Sequence, residues 1–318
     1  MTSKLSKEDK LKKIDISNIL NEYDLGKVIN SSVISSPSSL NPRWNKIETS
    51  EGLFFLKQYR KGNYVDEHFD FLKYLLYNDY PAVKIFNNKA GALKTSHNGQ
   101  VFAIFEFIEG CKWDYTVNEK RAIEIGRNLG KLHRLGMDYP YSSVHVNYDY
   151  FYTLMKKGYG TLKKVPDNLK DALRFMYSNM PNADFLNGAP KSTCHVEFLK
   201  RHLVFRGDKL SKVLDWDIVS KDHMLSDLGT TMTTAFQDSL DYRILSKIIG
   251  AYNAERPLTQ FEKNHIYDAI KFGVFKTAIW GLFGLYPDYS DQSVLNLKEF
   301  VRHTKQEFES ELAKELRI

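Results

Sequence analysis

The stretch that decides the fold is CHVEFLKRHLVFRGDKLSKVLDWD, residues 194–217. It begins with a short run that carries His195 and Glu197, continues through a basic loop, and ends with Asp215 and Asp217 on either side of a tryptophan. The middle of the stretch predicts a β-hairpin whose turn is a Gly-Asp pair. An acid, a basic loop and a second acid at a strand end are the groups that can hold a metal ion and a polyphosphate beside a reacting hydroxyl.

The composition favours a soluble protein of two lobes, because 318 residues are many for one hydrophobic core. A net charge of +6 would suit an anionic ligand such as a nucleotide, but no basic stripe predicts nucleic-acid binding. Two cysteines without a CxxC pair favour a reducing compartment, so we expect a cytoplasmic protein. The charged N-terminus is unlike a signal peptide, and no apolar segment approaches membrane-spanning length, so we expect no membrane partner. The oligomeric state stays open.

The first third of the chain predicts a mostly antiparallel sheet with one helix inserted after the third strand. The helix is predicted over residues 64–77, where apolar residues recur with helical spacing. An Asn-Gly pair at residues 98–99 predicts a tight hairpin turn. A serine-rich loop without glycine is predicted at residues 35–41. The strands are predicted at residues 28–34, 44–49, 53–59, 83–86, 93–95 and 101–108.

The pattern changes from strand to helix after residue 108, and we place the domain boundary there. Gly126 and Gly130 lie on one predicted helix and allow a close neighbour. His133 near the end of that helix is expected to be packed and hydrogen-bonded. Residues 138–190 are interpreted as an insertion that shapes a substrate pocket, to which Trp280 and Tyr286 are further candidates. The helices are predicted over residues 118–135, 149–157, 169–180, 238–253, 259–284 and 291–315.

Five separated signals then fall in one order along the chain. They are Lys57 on the third strand, Glu67 on the helix after it, a chain crossing at residues 105–110, the H-x-E run at His195 and the VLDWD segment at residues 213–217. Two supporting matches are the helix motif G-x-x-L-x-x-L-H at residues 126–133 and the acidic-Leu-Gly at residues 227–229. The ordered set resembles the protein-kinase-like fold in its small-molecule branch, which contains aminoglycoside phosphotransferases, choline kinases and homoserine-kinase-like enzymes. The resemblance covers residues from about 20 to 310.

This resemblance implies an α+β, bilobal architecture. The N-lobe would be residues 1–108, a small antiparallel sheet with one helix that binds the nucleotide. The C-lobe would be residues 109–318, mostly helical, with the catalytic loop and the substrate pocket. The cofactors implied are ATP and Mg²⁺, or Mn²⁺ in its place, and the partner is a small molecule that carries a hydroxyl.

The resemblance also implies roles for single residues in the nucleotide site. Lys57 would hold the α- and β-phosphates of ATP and pair with Glu67. The hinge against the adenine would be residues 105–108, with Glu106, Phe107 and Ile108 as the nucleotide-binding residues. Without the resemblance, Lys57 and Glu67 would be interpreted as a structural ion pair on a lobe surface.

The remaining implied roles concern the metal and the catalytic loop. Asp215 would bind the metal, with Asp217 beside it as a helper. In the family loop H-x-D-x-x-x-x-N, the Asp accepts or orients the substrate hydroxyl and the Asn holds a second Mg²⁺. Counted onto this chain, those positions are His195, Glu197 and His202, so the Asp is replaced by Glu and the Asn by His.

Both replacements bear on the chemistry. The longer Glu197 side chain moves its carboxylate by on the order of 1 Å, and a displacement of that size can cost roughly 10²-fold in rate. Mg²⁺ prefers oxygen ligands, so the imidazole of His202 suits a softer metal, or a phosphate once protonated. Glu197 would instead be structural if it formed a salt bridge with Lys200 or Arg201.

Two functions therefore stay open at this point. The first is an ATP-dependent kinase for a small-molecule hydroxyl, with Glu197 in place of the catalytic Asp. The second is a degenerate member that binds nucleotide or acts as a structural or interaction protein, as some bacterial spore-coat proteins resemble this fold too. A zinc site of His195, Glu197 and His202 is less favoured, because no further His/Asp pair at metal spacing supports it. The sequence contains no Rossmann fingerprint and no P-loop.

Overall fold

The computed structural model describes residues 16–34, 44–59, 65–109, 115–144, 150–151, 153–154, 167–237, 239–282 and 290–316. The chain forms two compact units. Of the described residues, the first unit contains 16–34, 44–59, Val65 and 84–109, and the second contains 66–83 and everything after 109. In this part of the chain, no helix has both the length and the apolar character needed to cross a bilayer.

The first unit is an antiparallel sheet. Its strands are β1 (Val28–Val33), β2 (Trp44–Thr49), β3 (Gly52–Tyr59), β4 (Ile85–Phe86), β5 (Thr95–His97) and β6 (Gln100–Glu106). The predicted strands of this unit are thereby confirmed, with ends shifted by a few residues. The strand order is β1-β2-β3-β6-β4, with β5 paired to β6. At the turn between β5 and β6, Asn98 and Gly99 both have positive φ, as the Asn-Gly pair predicts.

The core of the first unit lies on one face of this sheet. Helix α1 (Ile16–Leu20) packs there and contributes Ile19. The strands contribute residues such as Ile47, Leu56 and Ile104, because side chains two residues apart on a strand face the same side. Lys57 follows Leu56 on β3.

The second unit is mostly helical. Helix α3 (Glu119–Asp138) packs against α6 (Tyr242–Glu255), and α5 (Met224–Met232) packs against α8 (Ile266–Leu282). Both contacts are close because a glycine faces backbone: a Cβ on Gly126 would lie 2.1 Å from the carbonyl oxygen of Ile248. The close neighbour predicted from Gly126 and Gly130 is confirmed. The helices are α2 (Val65–Tyr77), α3 (Glu119–Asp138), α4 (Asp167–Ser178), α5 (Met224–Met232), α6 (Tyr242–Glu255), α7 (Gln260–Asn264), α8 (Ile266–Leu282), α9 (Ser290–Phe300) and α10 (Lys305–Leu316).

Two short antiparallel ladders complete the second unit. Strand β7 (Lys191–Cys194) pairs with β10 (Ser220–His223), and β8 (Leu203–Arg206) pairs with β9 (Lys209–Val213). The β8–β9 hairpin is the one predicted from the sequence, with Gly207 at its turn in a left-handed conformation.

Several sequence-based boundaries were wrong. The predicted helix 259–284 is divided at His265, and the predicted helix 291–315 is divided at residues 301–304, where the backbone turns. Strands β7 and β10 and helix α5 were not predicted. The loop at residues 35–41, Cys111, Tyr286, the side chain of Trp280 and most of the predicted helix 149–157 lie outside the described residues. The lobe boundary after residue 108 stays a prediction, as does the assignment of α2 to the first lobe.

Candidate active site

The two ladders of the second unit bring residues of the candidate catalytic loop close to one strand-end acid, Asp215. His195 directly follows β7, and His202 directly precedes β8. Asp215 lies two residues after the end of β9. The main-chain N–H of Leu214 donates to the carbonyl oxygen of His202 at 2.8 Å, which joins the end of the loop to the end of β9.

His195 holds this loop in place through its main chain and its ring. Its main-chain N–H donates to the Asp227 carboxylate at 2.9 Å, and its Nε2–H donates to the carbonyl oxygen of Leu214 at 2.9 Å. The ring centroid lies 4.7 Å from that of Trp216. Complete burial lowers the pKa of His195 to about 4, so the ring is neutral at physiological pH.

Glu197, His202 and Asp215 form a cluster of three possible ligands. One ligand atom from each lies within 4.8 Å of the others. Glu197 and His202 are each only 5% exposed, whereas Asp215 is partly exposed. Burial raises the pKa of the Glu197 carboxyl, against the opposing effect of Arg201. The structure thus brings together three of the predicted site residues, including both replaced positions of the catalytic loop.

The orientation of His202 is fixed by the main chain. Its Nδ1 lies 2.8 Å from the carbonyl oxygen of Glu197, and a carbonyl can only accept, so Nδ1 carries the proton. Nε2 lies 3.3 Å from the Asp215 Oδ2. It also accepts a hydrogen bond from Nε of Arg201 at 3.2 Å. The lone pair of Nε2 therefore faces the Arg201 guanidinium, beside the Asp215 carboxylate.

Arg201 bridges two members of the cluster. Its Nη2 lies 3.2 Å from Oε1 of Glu197, while its Nε bonds His202. The salt bridge that the sequence offered as the structural alternative for Glu197 is therefore present, and it is made by Arg201.

Two residues of the site have left-handed backbone conformations. Val196 has φ of 72° and Asp215 has φ of 59°. An aspartate tolerates this region, but for a β-branched valine it is strained. The carbonyl oxygen of Val196 accepts a hydrogen bond from Nζ of Lys276, which also bonds Oγ1 of Thr230 at 3.3 Å. Lys276 is 2% exposed. Its contact with the loop was not predicted from the sequence, although a lysine within the apolar sequence of α8 indicates a buried charge that needs partners.

Behind the loop lies a second buried network. Asp227 accepts from His195 and lies 3.2 Å from Nε2 of His133. Nδ1 of His133 lies 2.7 Å from the hydroxyl of Tyr252. Burial lowers the pKa of His133, against the opposing Asp227 carboxylate. The expectation that His133 is a packed, hydrogen-bonded histidine is confirmed.

The predicted nucleotide residues of the first unit have the following surroundings. Lys57 is buried, and its Nζ lies 5.4 Å from the ring centroids of both Trp44 and Tyr59. Oε1 of Glu106 accepts from the main-chain N–H of Lys84 at 2.6 Å. The ring of Phe107 lies 4.9 Å from Nζ of Lys46, and Ile108 is half-buried beside it. Their role as a nucleotide hinge stays a prediction.

Glu67, which the resemblance pairs with Lys57, has hydrogen bonds within the second unit. Its carboxylate accepts from the main-chain N–H groups of Ser142 and Ser143 and from the hydroxyl of Ser143. The pairing with Lys57 stays a prediction. Asp217 lies in the turn after Asp215, half-buried, and is not part of the three-residue cluster; its role as a helper also stays a prediction.

The donor set of the cluster fits a divalent cation. Two carboxylates supply charge and oxygen, and the orientation of His202 adds a nitrogen ligand. An all-oxygen set, which Mg²⁺ prefers, is not what these three residues provide. A buried H-x-E loop beside a strand-end aspartate, in a chain with an antiparallel-sheet unit and a helical unit, is the arrangement that the resemblance to the kinase-like phosphotransferases predicts.

Comparisons with known proteins agree. The Phosphotransferase enzyme family matches residues 36–260, and the chain belongs to this family. Homoserine kinase from Rhodopseudomonas palustris (strain BisB5) is 23% identical over 260 residues, which are 78% of this chain and 77% of that protein.

Solved structures show the fold. An aminoglycoside phosphotransferase from Alicyclobacillus acidocaldarius superposes with a TM-score of 0.62 at 8% identity, over 95% of this chain and 96% of that one. Amicoumacin kinase hAmiN, in complex with AMP-PNP, Ca²⁺ and Ami, superposes with a TM-score of 0.60 at 12% identity, over 95% of this chain and 92% of that one. The predicted family and the α+β kinase-like fold are confirmed.

Proposed function

We propose that this chain is an ATP-dependent phosphotransferase that phosphorylates a hydroxyl group of a small molecule, with Glu197 in the role of the catalytic aspartate. The observation that carries the proposal is the position of Glu197. Its buried carboxylate follows His195 in the loop and belongs to one cluster with His202 and the strand-end Asp215. A carboxylate there can accept or orient a hydroxyl proton beside a metal-bound phosphate.

The electrostatics of Glu197 support this role. Burial raises the pKa of its carboxyl, which makes it a stronger base than an exposed glutamate. Its pKa is kept from rising further by Arg201. Proton transfer to a group of this kind contributes roughly 10²–10⁴-fold to a rate.

The cofactor proposal rests on Lys57 and Asp215. A buried lysine on the third strand supplies charge for the α- and β-phosphates, and Asp215 supplies an oxygen ligand for a divalent metal. The relative hAmiN was solved with an ATP analogue and a divalent cation, which supports ATP with a metal as the cofactors.

The first test is a thermal-shift titration with ATP plus Mg²⁺ or Mn²⁺. A ligand that binds only the folded state raises Tm by mass action. We expect a metal-dependent shift in the wild type that is lost in Lys57→Met and Asp215→Ala. The exposed Lys27 of the first unit offers a matched control, and Lys27→Met should keep the shift. Absence of a shift with either metal in the wild type would contradict the proposal.

The second test is turnover. ADP release should be screened with hydroxyl compounds that include homoserine and aminoglycosides, since a relative and a structural neighbour bear those names. For any substrate found, Glu197→Gln should lower kcat by about 10²-fold or more when ATP and the metal are saturating.

One observation favours a second function. Arg201 forms an ion pair with Glu197 and a hydrogen bond with His202, so a cation of the chain itself already lies against two members of the cluster. This would suit a catalytically impaired kinase-like protein that binds nucleotide or has a structural role. An ATP-induced shift without turnover on any hydroxyl compound, in both the wild type and Arg201→Gln, would support this second function.

A further inference from the structure

We propose that Glu197, His202 and Asp215 form a site that prefers a borderline first-row divalent cation, of the Mn²⁺, Co²⁺ or Zn²⁺ class, over Mg²⁺. The inference concerns the metal class at the site on which the proposed function rests. Binding of a metal ion without nucleotide or substrate can be measured separately, so the two proposals can fail independently.

The set of ligand atoms in the cluster favours a borderline metal. The cluster combines one imidazole nitrogen with two carboxylates, and the three ligand atoms lie within 4.8 Å of one another. Mg²⁺ takes an octahedron of oxygens and keeps several waters, whereas imidazole nitrogen suits zinc and the later first-row metals. The nitrogen ligand therefore gives the borderline metals an advantage that Mg²⁺ does not share.

The orientation of His202 is the second argument. The hydrogen bond from Nδ1–H to the carbonyl oxygen of Glu197, at 2.8 Å, fixes the tautomer and directs Nε2 to the cluster. Proteins commonly orient metal-binding histidines by such a bond from the other ring nitrogen. A buried histidine with this bond is preorganised as a ligand.

The distance between two of the ligand atoms also fits a bound metal ion. Two ligands that bind one metal at about 2.0–2.2 Å lie about 3.0–3.5 Å apart in octahedral or tetrahedral geometry. Nε2 of His202 and Oδ2 of Asp215 are 3.3 Å apart. This distance is therefore the one expected for two ligands of a single metal ion.

Arg201 provides part of that positive charge in the metal-free chain. Its guanidinium bonds both His202 and Glu197, and its side chain is 20% exposed, which leaves it a route to solvent. A guanidinium and a divalent cation compete for the same acceptors and repel each other. Removal of the Arg201 charge should therefore strengthen metal binding.

The metal role of Glu197 is compatible with its proposed catalytic role. A carboxylate has two oxygens, and Oε1 is the one bonded to Arg201. One oxygen can bind the cation while the other orients a hydroxyl. Glu197→Gln keeps the shape of the side chain and removes its charge, so it should weaken the binding of a metal ion alone, which is measured without substrate and therefore reports the ligand role by itself.

The experiment is a titration of the full-length, metal-stripped chain with each metal alone. Co²⁺ is followed by its visible d–d absorption, Mn²⁺ by the loss of the free-ion EPR signal, and Zn²⁺ and Mg²⁺ by calorimetry and by competition with Co²⁺. We expect one strong site per chain, with Mg²⁺ at least about tenfold weaker than Mn²⁺, Co²⁺ or Zn²⁺.

The variants test the ligands. His202→Asn should weaken Co²⁺ and Zn²⁺ binding by on the order of 10–100-fold and bring Mg²⁺ closer to them. His265→Asn is the matched control, since Nδ1 of His265 also bonds a main-chain carbonyl, that of Phe261, at 2.7 Å. It should leave metal binding and the Co²⁺ spectrum unchanged. Arg201→Gln should tighten binding by about tenfold.

Two outcomes would overturn the inference: Mg²⁺ that binds the wild type as tightly as Mn²⁺, Co²⁺ or Zn²⁺, or a Co²⁺ spectrum and affinity unchanged by His202→Asn. If His202→Asn does not fold, Asp215→Asn is tested instead, because Asp215 is the partly exposed residue of the cluster. A Co²⁺ affinity unchanged by Asp215→Asn would also overturn the inference. A preference for borderline metals without any ATP-induced shift would sustain this inference and contradict the proposed function. An ATP-induced shift without a preference for borderline metals would support the proposed function and contradict this inference.

Discussion

The ammonium group of Lys276 donates a hydrogen bond to the carbonyl oxygen of Val196, the residue immediately before Glu197. Val196 has a left-handed backbone, with φ of 72°. A β-branched residue in that conformation costs on the order of 1–3 kcal/mol and persists only where the surroundings hold it. Lys276, fully buried on helix α8, is one group that holds it. The conformation of the candidate catalytic loop therefore depends on a helix more than 70 residues further along the chain.

Removal of the Lys276 charge should destabilise the protein. Burial lowers the pKa of Lys276, and the carboxylates of Asp227, Glu197 and Asp222 oppose that effect. Lys276→Met keeps the length of the side chain but leaves buried carboxylates without their cation. We expect a loss of about 3–5 kcal/mol in the free energy of unfolding, measured by urea denaturation.

Lys271→Met is the control for this change, because Lys271 lies on the same helix and is partly exposed. It should alter the free energy of unfolding by no more than about 0.5 kcal/mol. Equal effects of the two substitutions would mean that the buried ammonium group does not hold the loop.

Asp222 should make the stability of the protein depend on pH. Burial raises its pKa from 3.8 to about 7. Between these values the folded state keeps a proton that the unfolded state has lost, so this contribution to stability is full below about pH 4 and is lost as pH rises through about 7. Asp222→Asn has no such proton. Its stability relative to the wild type should therefore rise by on the order of 4 kcal/mol from about pH 4 to about pH 8.

The measurement is urea denaturation of both proteins across that pH range. Asp171→Asn is a suitable control, because Asp171 is exposed on helix α4 and its removal should leave the pH dependence of the wild type in place. A difference between wild type and Asp222→Asn that does not vary with pH would show that the Asp222 carboxyl is already ionised in the folded state.

Glu67 should slow hydrogen exchange at the main-chain N–H groups of Ser142 and Ser143. Burial on its own would raise the pKa of Glu67, but hydrogen bonds from Ser143 and Ser142 outweigh it and lower the pKa. In Glu67→Gln the two amide donors lose a charged acceptor, which is worth roughly 1.5–3 kcal/mol. Hydrogen exchange at Ser142 and Ser143 should accelerate by about 10–100-fold.

Asp70→Asn, an exposed change on the same helix, should leave the exchange of these amides unchanged. Unchanged exchange in Glu67→Gln would mean that the two serine amides do not depend on this carboxylate. A loss of the ATP-induced thermal shift in Glu67→Gln would independently support the pairing with Lys57.

The first unit was largely predictable from the sequence because its signals are local. Alternating apolar residues and an Asn-Gly pair define strands and a turn within a few residues of one another. Strands β7 and β10 have four residues each and pair across an interval of 25 residues, so no local pattern marks them. Helix α5 has nine residues, fewer than the window of about 11–18 residues over which helical spacing is recognised.

The residues of the candidate site, and one of their contacts, could be proposed from the sequence. The spacing of the H-x-E loop identified Glu197 and His202, and Arg201 was one of two basic residues offered as a salt-bridge partner of Glu197. The hydrogen bond from Arg201 to His202 and the contact of Lys276 with the loop depend on tertiary packing, which no local pattern shows. The division of the C-terminal helix, in contrast, had a local signal. Thr304 and Glu307 form the reciprocal hydrogen bonds of a capping box, a T-x-x-E pattern that marks a new helix start.

At two glycines of helices α3 and α6, which pack against each other, alanine should change the free energy of unfolding in opposite directions. A Cβ on Gly126 would lie 2.1 Å from the carbonyl oxygen of Ile248, a backbone atom that cannot move aside cheaply. Gly126→Ala should therefore lower the free energy of unfolding by about 3 kcal/mol or more. A Cβ on Gly250 of α6 would meet no atom within 4 Å, so Gly250→Ala should raise it by about 0.5–1 kcal/mol through helix propensity. Urea denaturation measures both, and a Gly126→Ala protein as stable as Gly250→Ala would show that the two helices do not pack this closely.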